Sequence, residues 1–134
     1  MITIGNVCEA EVLFLATKLG IQVSLPFGGQ ARYDQIWDID NTLYKIQIKA
    51  CQEINEGEAI TFKCQGNNKV YDENEIDAVV TCFNNKLYYI PFKEVNKSSK
   101  KTLHFSLNKE VALKSNIKQI NWASDYELEK IFNL

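Results

Sequence analysis

YDQIWDIDNTLYKIQIKAC, residues 33 to 51, is the stretch that decides the fold. From Thr42 to Cys51 the chain alternates: Tyr44, Ile46, Ile48 and Ala50 fall on one face of an extended strand, and Lys45, Gln47, Lys49 and Cys51 on the other. Residues 33 to 39 have the chemistry of a preceding strand, and Asp40-Asn41 supplies the turn between the two, which makes a hairpin. Because the strand period is two, Gln47 and Lys49 project side by side while Ile46 and Ile48 anchor the opposite face in a core. Twelve residues separate Asp34 from Gln47, the length of two short strands and a turn. That spacing can bring an acid, an amide oxygen and an ammonium to one end of the hairpin.

Upstream, residues 4 to 19 have apolar positions at helical spacing (Val7, Ala10, Leu13, Phe14 and 16 to 19), and Gly20 supplies the stop. IQVSLPF (21 to 27) reads as a strand, followed by a flexible Gly28-Gly29 bend. Downstream, a polar break at 52 to 57 precedes a short strand at 58 to 64, and QGNNK is a loop. The nearly continuous apolar run IDAVVTCF (76 to 83) predicts a strand covered on both faces, turned by Asn84-Asn85 into KLYYIPF (86 to 92). A further strand is expected at 102 to 107, and a terminal helix from Asp125 to Phe132 capped by Ser124. Helix, run of strands and terminal helix predict an α/β fold with a central sheet.

The 134 residues, 46% hydrophobic, suffice for one domain, 1 to 134, with a real core. Cys8, Cys51, Cys64 and Cys82 include no C-x-x-C pair and His104 is the only histidine, so buried free thiols are expected and a zinc site is not. The N-terminus has no basic leader, and Glu9, Glu11 and Lys18 interrupt its apolar run, which points away from a membrane and to a reducing cytoplasm. A net charge of −2 opposes contact with nucleic acid, yet the stretch from Lys93 to Lys118 holds seven lysines against two glutamates. That stretch is read equally as a solvated face and as a surface for phosphates.

Phosphodiester hydrolysis needs a set such as Asp34, Gln47 and Lys49. A hard cation such as Mg²⁺ takes oxygen ligands, for which Asp34 is suited, and Gln47 offers only a neutral carbonyl oxygen. Lys49 can orient water and offset charge growing on the phosphate. A Gln-Ile-Lys triplet taken alone is commonplace on a solvated strand.

The phrase P-F-G-G-x-x-R-Y-D (26 to 34), followed by Q-I-K (47 to 49) and EIDAVVTCFNNKLYYIPFKEVNKSS (75 to 99), resembles the PD-(D/E)XK nucleases. Within them it is similar to the small D…QXK group, which includes homing endonucleases encoded in group I introns. The resemblance implies a restriction-endonuclease-like core, a central mixed β-sheet flanked by α-helices. It also implies that Asp34 is the motif's acid, Gln47 stands where Glu or Asp is usual, Lys49 is the motif's lysine, and Glu9 is the acid of the first helix. Glu11 competes with Glu9, and periodicity does not decide between them. Gln47 removes one negative charge, so metal binding should lean on Glu9 and on the phosphate.

The function implied is Mg²⁺-dependent, site-specific endonucleolytic cleavage of double-stranded DNA, with Mn²⁺ able to substitute and no covalent intermediate. One site cuts one strand, so a homodimer is the minimum for cutting both, and the intron-encoded relatives suggest a homotetramer. A Holliday-junction resolvase, a restriction or repair nuclease, a non-catalytic DNA-binding module and a structural subunit stand as alternatives. Arg32, Lys63, Ser98, Ser99, Lys100 and Lys101 are candidate DNA contacts, each weighed against an ordinary surface or turn role. Asp77 is read as a hydrogen-bonded structural acid in preference to a metal ligand, and Tyr33 as packing. His104 is taken as a strand surface residue, and Trp37 and Trp122 as core or interface.

Overall fold

The computed structural model describes residues 1–65, 70–95, 99–106 and 120–134. Helix α1 spans Ile4–Lys18. Thr3 caps it: its hydroxyl accepts the Asn6 N–H at 3.1 Å, and the Asn6 side chain accepts the Thr3 N–H at 3.0 Å. Gly20, at φ 87°, closes the other end, where its N–H reaches the Thr17 carbonyl and the Ile21 N–H reaches that of Ala16.

The eight strands that follow are β1 (Gln22–Ser24), β2 (Gln35–Ile39), β3 (Thr42–Ile48), β4 (Gln52–Ile54), β5 (Ala59–Lys63), β6 (Ala78–Phe83), β7 (Lys86–Pro91) and β8 (Lys100–His104). They form a five-stranded sheet in the order β1-β2-β3-β6-β7 and a three-stranded sheet in the order β4-β5-β8. The larger sheet is mixed, with β3 and β6 parallel and every other neighbour antiparallel. Asp40-Asn41 and Asn84-Asn85 both have positive φ at each residue, the backbone of the two-residue turns that match strand twist. The hairpins expected from sequence are therefore present at 35 to 48 and 78 to 91.

The larger sheet buries one face under α1, where Val12, Leu15 and Ala16 meet Trp37, Ile46, Ile48, Val80 and Leu87. Its other face, through Val79, Tyr88 and Ile90, meets Ile60, Phe62 and Leu103 of the smaller sheet. Strand β6 is thus apolar on both sides because it has a core on both sides. This is the restriction-endonuclease-like α/β arrangement.

Several local expectations need correction. The polar break at 52 to 57 contains β4, an edge strand of mostly exposed residues that has no apolar alternation to announce it. The second hairpin ends at Pro91, and Phe92–Val95 forms a short helix, α2. The strand near 102 begins earlier, at Lys100, and Leu107 lies outside the described residues. At the C-terminus a 3₁₀ turn covers Ala123–Tyr126, and helix α3 covers only Leu128–Ile131. Ser124 sits inside that turn and does not cap. Glu127 is drawn into extended backbone by its bridge to Tyr88, which separates the two turns. Trp122 is exposed and belongs to neither core cluster.

Candidate active site

Asp34 stands at the entrance to β2, where its N–H donates to the Ile46 carbonyl at 2.7 Å. Its Oδ2 accepts the Ile48 N–H at 2.8 Å, so the carboxylate rests on the backbone between Gln47 and Lys49. Glu9 reaches the same place from α1. Partial burial raises the Glu9 carboxyl, and the charge and hydrogen bond of Asp34 raise it further, to about 7. Glu9 and Asp34 therefore stand together at the end of the hairpin.

Glu11 is engaged elsewhere: its Oε2 accepts the Cys82 thiol at 3.0 Å. Lys49 continues β3, its N–H bonded to the Val80 carbonyl at 3.0 Å and its carbonyl facing the Cys8 thiol at 3.8 Å. The Lys49 ammonium lies 5.8 Å from the centre of the Tyr71 ring, and Arg32 approaches the same ring at 4.9 Å. Gln47, half-buried, is in register with Val79 of β6. Strand alternation puts it on the side of β3 opposite Ile46 and Ile48.

Two positioning contacts escaped the sequence reading. Gln35, 2% exposed, donates through Nε2 to the Glu9 carbonyl at 3.2 Å and accepts the Trp37 indole N–H at 2.9 Å. It ties the helix that carries Glu9 to the strand entered through Asp34. The signal was present, since Gln35, Trp37 and Ile39 share the buried face of β2, and a polar residue in such a slot needs partners. Tyr71 and Glu75 gave no local signal, because they reach the site only through the fold.

The outlying candidates divide. Arg32 is committed to Glu75 at 3.0 Å. Lys101 points inward, 8% exposed, and pairs with Glu94 at 3.2 Å over the Tyr126 ring. Lys63 and Lys100 are exposed and line one cleft with Lys49. Ser99 is exposed and its carbonyl accepts the Cys64 N–H; Ser98 lies outside the described residues. Asp77 accepts the Lys45 N–H at 2.7 Å, a structural bond between strands. Tyr33 packs against the second core cluster.

Among the described residues no group of three or more His, Cys, Asp or Glu side chains is placed to hold a metal. The site offers two carboxylates and an amide oxygen, an all-oxygen set that fits Mg²⁺, which keeps several waters and binds through one or two carboxylates and substrate phosphate. The charge of Asp34 that helps to raise the Glu9 carboxyl is one that a divalent cation would offset.

An acid pair drawn from a helix and the entrance of a hairpin thus stands beside the strand that runs into Lys49. The chain matches the model of the PD-(D/E)XK endonuclease family over residues 2–129 and belongs to that family. It is similar to a solved bacterial homing endonuclease, I-Ssp6803I, at 17% identity and a TM-score of 0.70, over 97% of this chain and 88% of that one. No curated protein matches. Among the described residues no helix is long and apolar enough to cross a membrane.

Proposed function

We propose that the chain is a Mg²⁺-dependent endonuclease acting on double-stranded DNA at a site made by Glu9, Asp34, Gln47 and Lys49, with Mn²⁺ able to replace Mg²⁺. The observation that carries the reading is the carboxylate pair of Glu9 and Asp34, set on the backbone of the strand that presents Gln47 and Lys49. Asp34, Glu9 and the Gln47 carbonyl would hold the cation, which would supply Lewis acidity toward phosphate and water. Lys49 orients the attacking water and offsets the charge that grows on the phosphate oxygens. Gln35 fixes the helix so that Glu9 faces Asp34. Water attacks directly and no side chain becomes covalently attached.

The fold it shares with a homing endonuclease supports site-specific cleavage, and one site per chain supports a homodimer or homotetramer for cutting both strands. We place its action in the cytoplasm, where its thiols stay reduced. The test is conversion of supercoiled plasmid with Mg²⁺ or Mn²⁺ by the wild type and by folded Asp34→Ala and Lys49→Ala. Nicking by the wild type and none by the variants is expected. A wild type that never nicks would overturn the reading, and preference for a four-way junction would move it to a resolvase.

A further inference from the structure

Where α1 crosses β6 the fold gathers a second cluster of reactive groups, apart from the acid pair. Cys8 of α1 and Cys82 of β6 are 74 residues apart in sequence, yet their sulfurs stand 3.9 Å from each other. The Cys82 thiol donates to Glu11 Oε2 at 3.0 Å, and the Cys8 sulfur lies 3.8 Å from the Lys49 carbonyl. The proposed nuclease mechanism uses neither thiol.

Both cysteines are buried, at 7% and 9% exposure, but an opening reaches them. They line a pocket of about 510 Å³ together with Glu11, Cys51 and Phe83, which is room for a small solute. The other two cysteines are placed differently. Cys51 turns its thiol to the Cys82 carbonyl at 3.4 Å, and Cys64, 1% exposed, lies in the other core cluster.

We infer that Cys8 and Cys82 form an oxidation site, which a small hydroperoxide entering this pocket converts into a disulfide that displaces Glu9 from Asp34. One sulfur takes an oxygen of the peroxide and becomes a sulfenic acid, releasing the rest of the peroxide as an alcohol or as water. The second sulfur then displaces that oxygen as water and forms the S–S bond. Two S–H bonds and one O–O bond break, each sulfur gives up one electron, and the peroxide takes both. Glu11 receives the Cys82 proton and passes it to the departing oxygen.

An S–S bond is about 2.0 Å long, so the sulfurs must close from 3.9 Å. Strand β6 is bonded on both sides, to β3 and β7, which leaves the turn of α1 to move. Cys8 directly precedes Glu9 on that turn. The effect on cleavage therefore rests on the proposed nuclease reading, whereas the disulfide does not.

The experiment treats the reduced full chain with hydrogen peroxide and then counts free thiols after denaturation, maps linked peptides by mass spectrometry without reductant, and measures plasmid cleavage with Mg²⁺. Of the four thiols two should be lost, with Cys8 linked to Cys82 and both Cys51 and Cys64 still open to alkylation. Cleavage should fall on the order of 10²-fold, the cost of misplacing a reacting group by about 1 Å, and should return with dithiothreitol. Cys51→Ala should form the same link, and Cys82→Ala should keep its cleavage through the same treatment. Four thiols surviving peroxide, or a link from Cys8 to Cys51, overturns the site. A linked chain that cleaves at the reduced rate, or a Cys82→Ala chain that loses as much as the wild type, overturns the displacement of Glu9. A reduced wild type that never cleaves overturns the nuclease reading, and the linked peptide still decides the oxidation site.

Discussion

The five-stranded sheet gathers its site acids at the entrance of a hairpin, where Asp34 meets Glu9 from α1, whereas the three-stranded sheet presents Lys63 and Lys100 and keeps its neighbouring acid, Glu94, turned to Lys101. Lys49 stands at the crossing and belongs to both surroundings. The difference teaches that charge is sorted by position within each sheet: the acid pair closes one end of a hairpin, and the lysines of β8 alternate between core and surface.

The sharpest way to break this division lies within α1. Glu9→Gln should slow cleavage by on the order of 10²–10³, the cost of removing one preorganised electrostatic group, and Glu11→Gln by less than about threefold. Equal losses in plasmid cleavage would erase the distinction between the acid that faces Asp34 and the acid that holds Cys82. Within the smaller sheet, Lys101→Met should cost about 3 kcal/mol in urea unfolding, because it removes the cation that faces the Glu94 carboxylate and the Tyr126 ring, while Lys100→Ala should stay within about 0.5 kcal/mol. Similar losses at both positions would mean that the strand does not sort its lysines. Gln35→Leu leaves the Trp37 indole N–H without its acceptor and should cost about 1–2 kcal/mol. It should also lower cleavage through the loosened seat of Glu9, and an unchanged rate would remove Gln35 from the positioning of that helix.

A further effect concerns pH in the metal-free protein. Folded Glu9 keeps its proton to about 7, whereas an ordinary glutamate loses it near 4.5. The folded state then binds more protons between those values, so stability falls as pH rises from about 4.5 to about 7 and levels off above. Glu9→Gln should flatten that slope in denaturant titrations across the range, and an unchanged slope would show that Glu9 does not carry that proton.

The larger sheet was legible because its strands carry their own instructions: alternation from Tyr44 to Ala50, the Asp40-Asn41 and Asn84-Asn85 turns, and an apolar run through β6. The resemblance supplied Glu9, and the proximity of Glu9 to Asp34 appears only once α1 is laid across the sheet. The smaller sheet was less legible. Strand β4 is an edge strand with little to bury, and the partnership of Lys63 with Lys100 spans 37 residues of sequence, so no local pattern marks it. Arg32 looked available for phosphate because Glu75 and Tyr71, which hold it, come from a distant segment. Gln35 was readable in principle, as a polar residue in an apolar alternation slot.

The central claim is that the acid pair takes its cation together with phosphate, since Gln47 withholds the third negative charge. Calorimetric titration of Mg²⁺ into Lys49→Ala protein, alone and with a duplex, tests this directly, with Asp34→Asn added in the same background. The account predicts weak binding alone, at least about tenfold tighter binding with duplex, and loss of both with Asp34→Asn. Tight Mg²⁺ binding without DNA, or binding that survives Asp34→Asn, would contradict it.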